Sequence, residues 1–206
     1  MEETCTTVYF VAVTDGRVLR GAQTRAVVLA HAVGIASVEG LDALSIGRLA
    51  GDLAISKSGV FARFGAKEEL QLATIAAADE IFTEEVIRPA LAVPPGVGRL
   101  RTLCGEWLRY SRERVFPGGC FFVSVGAEYD ARPGRLRDAL VARQRTWTTL
   151  LERTAEDARL LGQLTGDPVL LAFELDALLV AANGRSLLGD ERGYALASAV
   201  IDARLG

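Results

Sequence analysis

The stretch Ser45 to Lys67, SIGRLAGDLAISKSGVFARFGAK, constrains this chain more than any other. Its apolar residues recur at helical spacing in two short runs, with room between them only for a tight turn. Ser45 is a good N-cap for a first helix that buries Ile46, Leu49 and Ala50 on one face. A turn at about Leu53 to Ile55 follows. Ser56 then caps a second short helix with Val60 and Phe64 facing inward. The small Ala50 lets the helices cross closely, and Ile55 and Val60 fill the angle between them. Lys57, Ser58, Gly59, Ala62 and Arg63 are left pointing outward. This is the outline of a helix-turn-helix, in which the second helix enters a major groove and the first crosses the backbone. An ordinary helical hairpin with a polar outer face shares the spacing.

Charge distribution separates the two readings. The whole chain is acidic, with net charge −3 and pI near 5.4, so a general basic coat for nucleic acid is excluded. From Arg17 to Lys67, however, seven basic residues face three acidic ones, a local net of +4. A modest positive field on an acidic protein suits a selective reader of DNA.

The flanks add a resemblance. Thr24-Arg25, an apolar helix, Gly40, then Leu49-Ala50, Ile55-Ser56-Lys57, Val60-Phe61, Phe64 and Lys67-Glu68-Glu69-Leu70 fall in register with the amino-terminal domain of TetR-family transcriptional regulators. The match is close over about residues 22–72. The resemblance implies an all-α fold of about nine helices: an amino-terminal extension over 1–19, a DNA-binding domain over 20–66, and a ligand-binding and dimerisation domain over 67–206. It implies double-stranded operator DNA as partner, with contacts from Thr24, Ser45, Arg48, Ser56, Lys57 and Ser58. Gly59, Phe61, Ala62, Arg63 and Lys67 complete that surface, Lys67 and Ser56 mainly on phosphate. Three departures stand out. Ala54 replaces the turn glycine, which costs about 1 kcal/mol if φ is positive there. Phe61 lacks the usual aromatic hydroxyl. Ala66 forgoes a side-chain cap worth about 1 kcal/mol.

The rest of the chain reads as helices. The first runs from about Gly21 to Val38, with His31 beside its apolar stripe as a packed or half-exposed residue. The fourth runs from Lys67 to about Ile87 and is stopped by Pro89. Val93-Pro94-Pro95-Gly96 and Phe116-Pro-Gly-Gly-Cys120 are breaks. The seventh helix, about Gly134 to Leu161, carries its arginines on the outer face. Asp167-Pro168 opens an eighth helix that is apolar nearly all round. Glu174, Asp176 and Arg185 make it a costly membrane span, so a partner chain is the expected cover and no membrane is expected. A homodimer is expected through Glu174, Ala177, Leu178, Ala181, Arg185 and Leu188 on this helix and Ala195 and Ala199 on the ninth. Either Leu179 or Val180 is expected to point into that interface.

The family also implies an effector pocket within helices four to eight. Phe82, Trp107, Tyr110, Phe121, Phe122, Trp147 and Phe173 are the candidate walls, which favours a hydrophobic or aromatic small molecule. Glu128 and Glu174 are candidates for its orienting polar group. Catalytic signatures are missing from the sequence: no P-loop, no dinucleotide fingerprint, no nucleophile elbow, and one histidine, too few for a histidine-based metal cluster. No catalytic residue, cofactor or metal is expected. Cys5, Cys104 and Cys120 are too scattered for a metal site and fit small buried hydrophobes in a reducing cytoplasm. Thr6 to Val13 is apolar but short and lacks a basic leader, so no signal peptide is expected there. Arg17 and Arg20 suit either a solvated linker or an arm reaching DNA. The leading reading is a ligand-responsive DNA-binding regulator, a repressor released by its effector. The alternative is a helical small-molecule-binding or protein-interaction module whose DNA contacts are weakened by the departures at Ala54, Phe61 and Ala66.

Overall fold

The computed structural model describes residues 16–206, with side chains from Gln23 onward. Cys5 and the segment Thr7 to Val13 lie outside it, as do the side chains of Arg17 and Arg20. Nine helices follow one another among the described residues, with no strand. They are α1 (Gly16–Glu39), α2 (Ile46–Asp52), α3 (Lys57–Phe64), the composite α4, α5 (Val97–Arg112), α6 (Phe121–Tyr129), α7 (Arg135–Leu160), α8 (Pro168–Leu187) and α9 (Arg192–Leu205). A 3-10 turn, Leu41–Ala43, sits between α1 and α2.

The expected caps form. The Ser45 hydroxyl accepts from Arg48 N at 3.1 Å, and the Ser56 hydroxyl accepts from Gly59 N at 3.1 Å. Asp167 accepts from Val169 N and opens α8, with Pro168 in its first turn. Leu49, Ala50, Val60 and Phe64 are buried, as the period predicts, and Arg25 lies over the Phe64 ring. His31 is half-buried and bonds Asp52 at 3.0 Å. The core runs without a break from α1 into the larger helical bundle.

Proline does not stop α4. The helix runs Lys67–Phe82, widens through a π turn at Thr83–Ile87, and continues as Arg88–Leu91. A mid-helix proline removes one N–H and leaves a carbonyl four residues back without its bond. Here that carbonyl is Glu85 O, and Arg109 from α5 donates to it at 3.0 Å. The same guanidinium binds the carboxylates of Glu85, Glu106 and Glu113. A tertiary contact thus supplies what the local sequence lacks.

The Phe116–Cys120 break is built by close approach. A Cβ on Gly118 would come within 1.8 Å of Ser37 O, so only glycine lets this loop lie on α1. Gly118 N donates to the Ser37 hydroxyl at 3.2 Å, and the neighbouring Cys120 N donates to buried Asn183 on α8. The loop therefore ties α1 to the far side of the bundle.

Ala54 sits at φ +52°, the left-handed conformation that glycine adopts at no steric cost. Ala54→Gly is expected to stabilise the protein by about 1 kcal/mol and raise the melting temperature by roughly 2–4 °C. Thermal unfolding followed by circular dichroism checks this, and an unchanged or lower midpoint would contradict the strain.

Candidate functional site

Helix α3 presents the outward face. Lys57, Ser58, Phe61 and Ala62 are exposed on it, and Gly59 is partly covered. The Lys57 ammonium extends over Gly47 at the start of α2 and takes part in no ion pair among the described residues. Other expected contacts are engaged. Arg48 makes two bonds of 2.7 Å to Glu39 and lies 3.7 Å from Asp52, so its charge is spent within the domain. The Glu39 carboxyl is accordingly held below its usual range, chiefly by the Arg48 hydrogen bond. Arg63 folds back and donates to Gly59 O at 2.5 Å. Sequence pattern named both arginines as DNA contacts and carried no sign of these partners.

Between this domain and the bundle lies a polar clasp on the 3-10 turn. Glu128, near the end of α6, accepts from Leu41 N at 2.7 Å and Asp42 N at 3.0 Å. Gln71 of α4 donates to Leu41 O, and Lys67 donates to Asp42 O at 2.7 Å. The Tyr129 hydroxyl donates to the Asp42 carboxylate at 2.8 Å, and Arg132 completes the pair at 2.6 Å. These two bonds, Tyr129 first, hold the Asp42 carboxyl below its ordinary range. Glu128 is thus no orienting group for a ligand: its carboxylate caps the turn. The cause is geometric, because a short 3-10 turn leaves backbone N–H groups that a carboxylate satisfies well.

A cavity of about 530 Å³ opens among α4, α5, α6, α7 and α8, within the roughly 300–1,000 Å³ of small-molecule sites. Phe82, Trp107, Phe122 and Trp147 line it as expected, joined by Tyr129, Leu140, Val141 and Val180. Tyr110 and Phe121 stand behind this wall: both are fully buried, Tyr110 edge-on to Phe82 and Phe121 edge-on to Phe122. Phe173 is elsewhere. It is 74 % exposed on the outer face of α8, because at helical spacing it falls with Leu170 and Ala177 rather than with buried Ala172 and Leu175. Glu174 is also outside the cavity, bound to Arg204 of α9 at 2.7 Å.

The polar groups lining the cavity are Arg143, Gln144 and Asp176, with exposed Asp130 and half-buried Arg137, whose Nε donates to Asp130 O at 2.9 Å. The sequence pattern puts the arginines of α7 on its outer face, yet Arg143 is 8 % exposed and lies over the rings of Phe82 and Phe122 at 4.3 and 4.8 Å. Asp79 of α4 pairs with it. Arg143 and Trp147 lie four residues apart on α7, which put them on one face; that spacing is the signal in the sequence. Asp176 accepts from Trp147 Nε1 at 2.8 Å and from Gln144 at 3.4 Å. Burial raises its carboxyl above the usual value, opposed by those two donors. Cys120 lines the cavity and Cys104 lies in the core; burial pushes both thiols up, Cys104 to about 12, so neither is a reactive thiolate.

A second face of α8 and α9 is apolar and uncovered. Leu170, Phe173 and Leu188 are 62, 74 and 90 % exposed, and Leu196 and Val200 of α9 are about half exposed. Ala177, Ala181, Ala195 and Ala199 are exposed with them. Arg185 is held by Asp190. Leu178 is half-buried and packs partly on the core. Leu179 is fully buried and Val180 borders the cavity, so neither marks this face as the sequence pattern suggested. No described helix is long and apolar enough to cross a membrane.

Comparison with known proteins agrees with this geometry. Residues 96–201, about half of the chain, match the family model for the tetracyclin repressor-like C-terminal domain. The chain belongs to the TetR family and is a transcriptional regulator of that family. The same fold is seen in a TetR regulator from Chloroflexus aurantiacus, at 22 % identity and TM-score 0.81 over 90 % of this chain and 95 % of that one. A TetR-family regulator from Streptomyces coelicolor is also 22 % identical, with TM-score 0.75 over 90 % and 95 % of the two chains. AibR, solved with isovaleryl coenzyme A and operator DNA, is 18 % identical, with TM-score 0.71 over 88 % and 98 %. No curated protein matches the chain.

The Asp176 environment is testable. A carboxyl raised in the folded state contributes stability below its unfolded value, and loses it as pH rises through the folded value. Asp176→Asn is therefore expected to raise the melting temperature more at pH 7 than at pH 4. Tryptophan fluorescence of the wild type should titrate above the ordinary aspartate value near 3.9, and the transition should vanish in Asp176→Asn. A transition that persists in the variant would assign it elsewhere.

Proposed function

We propose that this regulator is a homodimeric repressor that binds operator DNA through α3 and leaves it when a small molecule fills the cavity. The observation that carries the reading is Tyr129. Its ring lines the cavity while its hydroxyl holds Asp42 of the turn leading into α2. A ligand pressing on that wall acts directly on the mount of the DNA-binding domain. The aromatic walls suit an effector with an apolar or aromatic body. AibR, with its acyl-CoA and operator both bound, provides a precedent in the same fold. In this reading Lys57 reaches base edges, and Lys67 and Ser56 mainly contact phosphate.

No chemical step is needed. A ligand that binds one bundle conformation better shifts the population toward it, and a coupling of about 1–3 kcal/mol changes operator affinity roughly 5- to 150-fold. The apolar face of α8 and α9 supplies the dimer contact, since a patch of that kind marks an interface. Two recognition helices then read a pseudo-palindrome with half-sites about 34–36 Å apart, or a multiple of that distance.

Mobility shift with DNA from upstream of the protein's own coding region tests the reading. Lys57→Ala with Arg63→Ala is expected to weaken binding; unchanged binding would rule this surface out. Lys67→Ala should weaken all sequences alike and lower the salt slope by about one. Tyr129→Phe should keep both operator and effector binding while reducing the release that the effector causes; full release in that variant would remove Tyr129 from the pathway. Phe173→Arg is expected to give monomers in sedimentation at micromolar concentration, where the wild type sediments as a dimer.

A further inference from the structure

Two cations line the cavity: Arg137, half-buried, whose Nε donates to Asp130 O, and Arg143, which is buried. The guanidinium of Arg143 lies over two aromatic rings, Phe82 at 4.3 Å and Phe122 at 4.8 Å, which meet edge to face with centroids 5.9 Å apart. Its side chain is 7 % exposed, and its one acidic partner among the described residues is Asp79. That partner sits against Nε, and neither terminal nitrogen of the guanidinium makes a hydrogen bond among the described residues. Arginine stays protonated in proteins, so these terminal N–H groups remain donors. Along the edge of the guanidinium, paired N–H groups match the two oxygens of a carboxylate or sulfonate.

Asp176, the less exposed of the two carboxylates lining the cavity, is in a different situation. Both oxygens of Asp176 already accept hydrogen bonds, from Trp147 and from Gln144. It has no call for a ligand cation. Asp79, Arg143's present partner, stands on α4, half-exposed, and is not part of the cavity wall. A ligand anion can therefore take Arg143 while Asp79 turns to water.

We infer that the effector is an organic acid with an apolar or aromatic body, whose anionic group binds the edge of Arg143 in place of Asp79. This rests on reading the cavity as the effector site, and it adds the ligand's charge. It also names the contact that the ligand breaks. The Arg143–Asp79 pair ties α7 to α4 one turn before the π turn at Thr83–Ile87. Replacing Asp79 frees α4 at that point, and the start of α4 carries Lys67 and Gln71 of the clasp.

The test uses two fluorescent probes with the same aromatic body: 1-anilinonaphthalene-8-sulfonate, an anion, and N-phenyl-1-naphthylamine, which lacks the sulfonate. The full-length protein is expected to bind the anion at least about tenfold tighter, with each probe displacing the other. Arg143→Gln should bring the two affinities within about twofold of each other. Arg143→Lys, which keeps the charge but loses the fork, should retain part of the preference and serves if the glutamine variant does not fold. Asp79→Asn removes the internal competitor and should tighten the anion about threefold or more, relative to the neutral probe. A purely structural ion pair would give the opposite sign in that variant. Equal affinity for both probes in the wild type, failure of the anion to bind, a preference surviving in Arg143→Gln and Arg143→Lys, or weaker anion binding in Asp79→Asn would each overturn the inference. These readouts involve no DNA, so their failure is distinct from a failed mobility shift.

Discussion

A carboxylate on a single 3-10 turn joins the two halves of this molecule. Glu128 satisfies two backbone N–H groups at Leu41 and Asp42 that the short turn leaves without partners. Charge-assisted bonds of this kind are among the stronger ones available at a partly exposed site. Around it, Gln71, Lys67, Tyr129 and Arg132 hold the remaining polar atoms of the same turn. The position of α2 and α3 relative to the bundle thus depends on a few hydrogen bonds, in addition to the core that continues beneath them. A joint built from few directional bonds has alternatives at modest cost, unlike a packed core.

Helix α4 gains its function from an interruption. Its π turn and Pro89 would each weaken an isolated helix. Arg109 repairs the damage at Glu85 O and anchors the helix to α5 through that carbonyl and the Glu85 carboxylate, while Glu106 and Glu113 beside it on α5 hold the guanidinium. The cavity opens beside this segment, since Phe82 is its wall and the residue just before the π turn. One continuous element therefore touches the cavity at its middle and the 3-10 turn before α2 at its start.

Polar residues of the cavity were the hardest to read from sequence. Aromatic residues on helical faces are few, so Phe82, Trp107, Phe122 and Trp147 could be named directly. Arginines are common along α7, and the usual rule sends them to solvent. Arg143 breaks that rule because Phe82 and Asp79 of α4 and Phe122 of α6 enclose it. Glu128, a candidate for the cavity's polar group, lies one position from Tyr129. On a helix, adjacent residues point about 100° apart, so one faces the turn and the other the cavity.

Local chemistry determined the helical class, the capped hairpin of α2 and α3, the strained Ala54 and the uncapped Ala66, since each depends on residues within a few positions of one another. Hydrophobic periodicity also determined that α8 has more apolar surface than one core contact can cover. Only the tertiary structure decided which side of α8 remains open, moving Phe173 outward and Leu179 inward. It alone decided that α4 passes through Pro89, that Arg48 is spent on Glu39, and that Arg143 turns inward. The physical reason is common to all of these. Each outcome depends on a partner far away in sequence, and the energy of a buried charge or an unmet carbonyl is set by that partner rather than by its neighbours along the chain.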